Sequence, residues 1–107
     1  MRRTATVRWI VLCLLSAGAL AGPDAARQVE LGRLLKQDCG SCHGLTLRGG
    51  LGPALLPGDL AGKPAAFLES TILNGRPGTA MPPWRPLISE SDAAWLVQQL
   101  LNGGVAQ

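Results

Sequence analysis

At 107 residues, with a mean hydropathy of +0.20, a formal net charge of +3 and a pI near 9.1, the chain has length for one small domain and no more. Its basic balance is no sign of a nucleic-acid partner: Arg2, Arg3 and Arg8 all lie in the first segment, and the seven remaining Lys+Arg residues are matched by seven Asp+Glu. A single His, no paired carboxylates and no phosphate-cradling loop leave hydrolytic chemistry without a base.

In chain order, residues 1–21 read as a secretory signal peptide. Three arginines precede an apolar run from Trp9 to Ala17, and Ala19-Leu20-Ala21 supplies a small-x-small cleavage site. The run is shorter than the roughly 20 apolar residues a membrane span needs, so cleavage after Ala21 is expected rather than an anchor, and Cys13 leaves with the signal. No stable membrane insertion is expected afterwards. Residues 22–107 form the expected domain, with only Phe67, Trp84 and Trp95 as aromatics. Domains this small commonly depend on a disulfide, a metal or a cofactor to complete the core.

The stretch "PDAARQVELGRLLKQDC" predicts a helix capped by Asp24, with Val29, Leu31, Leu34 and Leu35 on its apolar face, delivering Cys39 at its end. "GLTLRGGLGPALLPGDLAG" is rich in glycine and proline and reads as loop. A short helix follows in "KPAAFLESTILNG", with Pro64 at its start, Phe67, Leu68, Ile72 and Leu73 on one face and Asn74-Gly75 as the stop. "RPGTAMPPWRPLI" carries four prolines and excludes regular structure. In "SESDAAWLVQQLLNGG", Ser89 and Asp92 match a capping box and Ala93, Leu96, Val97, Leu100 and Leu101 form a stripe closed by Gly103 or Gly104. No segment alternates with a period of two. The expected fold is all-α, three to four helices with loop-rich connections.

Cys39-Gly40-Ser41-Cys42-His43 holds the only histidine and two of the three cysteines. Structural zinc needs four ligands, and the domain offers no further Cys or His. A thioredoxin-like dithiol needs a βαβ setting, absent here, and a disulfide over two intervening residues closes too small a loop to constrain the unfolded chain much. Covalent haem attachment accounts for all three residues. Cys39 and Cys42 then form thioethers with the two vinyl groups on one porphyrin edge, and His43 ligates the iron through Nε2. Met81 is the only methionine outside the signal, and it sits in the proline-stiffened "GTAMPPW". It is the expected second axial ligand, with Lys36, Lys63 or water as alternatives; a lone methionine can also fill a gap in a core. A thioether ligand favours the ferrous state, which points to one-electron transfer at a closed iron.

With "CGSCHG", a following "GP", a middle helix, a "MPPW" loop and a Ser-capped last helix in that order, the domain resembles the class I c-type cytochromes. More narrowly, "KQDCGSCHG", "TLRGGLGPALLP", "ILNGRPGTAMPPWRP" and "AWLVQQL" are similar to the small NirC-type monohaem cytochromes of denitrification nitrite-reductase gene clusters. The resemblance implies that the Pro53 carbonyl accepts from His43 Nδ1–H, and that the first and last helices cross, with Gly32 and Trp95 as the available pair. It implies one covalent haem c in a periplasmic, monomeric carrier. Its partner would be the cytochrome cd nitrite reductase, to which it gives electrons or whose haem d1 it helps to complete. Trp84, beside the methionine loop, is expected to pack on the macrocycle. Arg48, Lys63, Arg76 and Arg85 are candidates for a docking rim or for neutralising a propionate, against a simple solvated face balanced by Glu30, Asp59, Glu69 and Glu90. Asp38 is expected at a helix end or on the surface.

Overall fold

A computed structural model describes residues 22–104. The expected signal peptide, Cys13 included, lies outside the described residues. Within them, all regular structure is helical, as the absence of any alternating pattern requires. Helix α1 (Ala25–Leu34) opens at Asp24, whose Oδ1 accepts from the Arg27 amide at 2.8 Å.

The first helix does not end at Cys39. Leu35–Cys39 form a π-helical turn, closed by the Gly40 amide donating to the Leu35 carbonyl, and α2 (Gly40–His43) continues without a break. One extra residue in a turn rotates the next side chains by about 100° relative to a continued α-helix. Such turns concentrate at functional sites. Here the turn lets Leu31 and Leu35 face the core while Cys39, Cys42 and His43 border a neighbouring cleft.

The connection after His43 is mostly loop, as expected, and is fastened to the helix it leaves. The Gly49 amide donates to the His43 carbonyl at 2.8 Å and the Gly52 amide to the Cys42 carbonyl at 2.8 Å. Its far end differs from expectation, because Pro57–Leu60 form a single helical turn, α3. Pro57 occupies the first helical position, where its missing N–H costs nothing, and Asp59 Oδ2 accepts from the Leu56 amide at 3.1 Å. Helix α4 (Ala65–Asn74) starts after Pro64 and stops at Gly75. Helix α5 (Glu90–Asn102) carries the expected capping box: Ser89 Oγ accepts from the Asp92 amide at 3.1 Å while Asp92 Oδ2 accepts from the Ser89 amide at 3.0 Å.

The core gathers on α5, which packs on α4 most extensively and also touches α3 and α1. Leu31, Leu35, Leu60, Leu73, Ile88, Ala93, Leu96, Val97 and Leu100 are all buried. Each large aliphatic among them contributes roughly 1.5–3 kcal/mol by leaving water. Of the residues assigned to apolar faces, Leu34, Leu68, Ile72 and Leu101 pack partly buried against this core and two are exposed. Val29 and Phe67 are each 56% exposed, and Phe67 borders the cleft instead.

The meeting of α1 and α5 also departs from expectation. A Cβ at Gly32 would find nothing within 4 Å, so no close approach depends on that glycine, and Trp95 is half-buried. The two helices are joined by a polar clasp. Arg27 donates from Nη2 to Asp92 Oδ2 at 2.8 Å, from Nε to the same oxygen at 3.3 Å, and from Nη2 to the Leu87 carbonyl at 3.0 Å. Its Nη1 meets Glu30 at 2.9 Å. Asp92 is the one charged residue buried among those described. Arg27 and its own capping bonds hold its carboxyl below the usual carboxylate range, against the opposing effect of burial.

Candidate functional site

A cleft of about 770 Å³ lies between the end of α2, the loop at 51–55, α4 and the proline-rich segment before α5. That volume falls in the range of roughly 300–1,000 Å³ typical of cofactor pockets. The walls are mainly apolar, from Leu35, Leu55, Leu68, Ile72, Trp84 and Leu96 among others. Cys39, Cys42 and His43 from one five-residue stretch, Pro53 from the following loop and Met81 from the proline-rich segment all border this one space.

His43 is the most completely positioned of them. Its Nδ1 lies 2.7 Å from the Pro53 carbonyl oxygen. A carbonyl can only accept, so in the neutral ring Nδ1 carries the proton and Nε2 presents a lone pair, and the same bond orients the ring. Gly52 makes this possible sterically. A Cβ there would stand 2.8 Å from His43 Cε1 and 2.9 Å from Nδ1, closer than a side-chain carbon can sit. Glycine at 52 therefore lets the chain lie against the imidazole and carry Pro53 into reach, a role that the "GP" pair hints at but spacing alone does not disclose.

The two thiols are held differently. Cys39 is half-buried and Cys42 exposed, and both are unpaired. Burial pushes the Cys39 thiol up to about 11, with the charge of Asp38 adding to the effect. Ser41, between them, donates from Oγ to the Asp38 carbonyl at 2.7 Å and so ties the π-helical turn to α2.

Met81 is half-buried in a segment braced at both ends. The Arg76 amide donates to the Met81 carbonyl at 3.2 Å, and the Trp84 and Arg85 amides donate to the Ile72 and Leu73 carbonyls at the end of α4, each at 3.1 Å. Trp84, half-buried, lines the cleft beside it. Lys63 also borders the cleft, whereas Lys36 does not.

The expected basic rim is only half present. Lys63 and Arg76 line the cleft together with Asp38 and Asp59, so its charged lining is balanced. Arg48 is not in the lining. Arg85 is engaged elsewhere, through Nη2 and Nε to Asn74 Oδ1 at 3.0 and 3.2 Å and through Nη1 to Glu90 at 3.5 Å.

Two thiols, an imidazole with its Nε2 available and a thioether around an apolar cleft of this size fit a covalently bound porphyrin. No group of three or more His, Cys, Asp and Glu suited to a bare metal ion occurs among the described residues. Residues 26–99 match the family model described as cytochrome c oxidase, cbb3-type, subunit III. The cytochrome c55X of Pseudomonas aeruginosa is 56% identical over 103 residues, a match covering 92% of this chain and 87% of the relative. The chain belongs to the cytochrome c55X family. Like other members, this cytochrome carries one covalently bound haem c and functions in electron transfer. The solved structure of the c-type cytochrome NirC is similar at 60% identity and a TM-score of 0.78, covering 79% of this chain and all of that one (100%). A longer protein, dihydro-haem d1 dehydrogenase NirN in complex with DHE, is similar over 66% of this cytochrome and 16% of its own length, at 38% identity and a TM-score of 0.61.

Proposed function

We propose that this cytochrome binds its haem through Cys39 and Cys42 and its iron through His43 Nε2 and Met81 Sδ, and gives single electrons to the cytochrome cd nitrite reductase in the periplasm. The observation that carries the reading is the 2.7 Å bond from His43 to Pro53, which directs the imidazole's free nitrogen in a cleft that both thiols and Met81 also border. The haem supplies an Fe(III)/Fe(II) couple whose potential a thioether ligand raises. The chain's own residues supply the setting. Pro53 and Gly52 fix the ring, the apolar walls keep water from the cofactor, and the bonds around Met81 limit rearrangement on electron transfer. The arginine-led segment at 1–21 supports export, and among the described residues no helix is long and apolar enough to cross a membrane.

Rapid mixing of the reduced protein with purified nitrite reductase tests the donor role. Oxidation of the carrier faster than reductase turnover is expected, and exchange too slow to sustain turnover would reject it. The likeness to dihydro-haem d1 dehydrogenase supports a second reading, in which the same haem serves an oxidation or handover step during haem d1 assembly. Under that reading, cells lacking this cytochrome accumulate reductase deficient in haem d1. Under the donor reading the reductase is complete and lacks only its electron supply.

A further inference from the structure

The loop that carries Met81 closes on itself through one side chain. Thr79 Oγ1 donates to the Arg76 carbonyl at 2.7 Å and accepts from the Met81 amide at 3.3 Å, while the Thr79 amide donates to the same Arg76 carbonyl at 3.0 Å. With Arg76 N–H on the Met81 carbonyl at 3.2 Å, both backbone polar groups of Met81 are held inside the loop, one of them solely by the hydroxyl at 79.

The surroundings add constraints that meet at the same residue. Pro82 drives Met81 toward extended backbone, and Pro82 and Pro83 have fixed φ. On the other side Gly75 sits at φ +67°, and a Cβ there would lie 2.7 Å from Met81 O, Pro82 C and Pro83 N. All three are backbone atoms that cannot swing aside, so the loop rests directly on the end of α4. Thr79 itself is exposed, so its hydroxyl is not needed to satisfy a buried group and contributes little to the core.

From this arrangement we infer that Thr79 is a positioning residue, whose hydroxyl holds Met81 in the cleft and thereby keeps the sixth position of the iron closed. The inference rests on the reading of Met81 as a ligand. Without the hydroxyl, Met81 N–H loses its acceptor and Met81 leaves the iron more readily. A hydrogen bond of this kind is worth about a factor of ten in such an equilibrium.

The test is a titration of the ferric holoprotein with imidazole, which competes with Met81, followed by the loss of the near-infrared sulfur-to-iron band. Thr79→Val, with the same shape and no hydroxyl, is expected to bind imidazole about tenfold more tightly than wild type, and Thr79→Ser to return to the wild-type value. Thr79→Ala serves if the valine variant does not fold. Val97→Ala, in the buried core, lowers thermal stability and is expected to leave imidazole affinity unchanged, which separates positioning from general destabilisation. Wild-type affinity in Thr79→Val with a tightened Met81→Ala overturns the role of Thr79 alone. Wild-type affinity and an unchanged band in Met81→Ala overturn the ligand assignment beneath it.

Discussion

Replacing Asp92 by alanine removes a carboxylate that serves two elements at once. It takes away the acceptor for the Ser89 amide, half of the capping box, at a cost of about 1 kcal/mol. It also takes away both bonds from Arg27 to Asp92 Oδ2. The Arg27 side chain is 35% exposed and keeps Glu30 within reach, so it can recover solvent, and about 1 kcal/mol is the appropriate discounted value for that pair. The total is about 2 kcal/mol. For a domain of this size that lowers Tm by roughly 8–16 °C. Guanidinium unfolding followed by far-UV circular dichroism measures it, with Arg27→Ala and the double variant completing a cycle. The double variant is expected to cost about 1 kcal/mol less than the two single changes added together. A loss below about 0.5 kcal/mol for Asp92→Ala, or strict additivity, would refute the clasp as the join between α1 and α5.

Acid should act through the same carboxylate. The folded Asp92 is held below the unfolded value of about 3.9, so its contribution is fully present above that pH and disappears as pH falls through the folded value. The stability gap between wild type and Asp92→Asn should therefore be constant from pH 7 to about 5 and shrink below about 4; a gap independent of pH contradicts it. Gly52→Ala should either displace His43 or break its bond to Pro53, lowering the yield of covalently loaded protein and, in the protein that still loads, shifting the reduction potential upward because an imidazole that no longer donates to Pro53 gives less electron density to ferric iron; a wild-type potential would show that the 2.8 Å approach is not limiting. Replacing Cys39 and Cys42 together by alanine should abolish covalent haem and leave the chain largely unfolded by circular dichroism, because the walls of a 770 Å³ cleft then have nothing apolar to close on. An apo form of full helicity would remove the cofactor from the core.

What could be read from the chain was what is local. The capping box of α5 depends on residues three apart, the stops of α4 and α5 on single glycines, and the Cys-x-x-Cys-His group is a five-residue motif, so all stand in the sequence as patterns. The features missed involve distance or geometry without a pattern. Arg27 and Asp92 are 65 positions apart, and neither residue type announces burial. The π-helical turn has the same apolar spacing as an α-helix up to Leu35, so the point where the helix widens is invisible. A glycine at 52 or 75 reads as loop punctuation until the atoms it must avoid, the His43 ring and the Met81–Pro83 backbone, are in place. Of the candidate rim residues, Arg85 follows the methionine loop in sequence but does not line the cleft, because Asn74 and Glu90 take its donors, a pairing no local pattern discloses.

One spectrum tests most directly whether the iron is closed by His43 on one side and Met81 on the other. The purified holoprotein should show sharp reduced haem c bands and, when oxidised, the weak near-infrared sulfur-to-iron band, lost in Met81→Ala while the covalent haem remains. Haem c without that band in the wild-type protein, or a band that survives Met81→Ala, would contradict it.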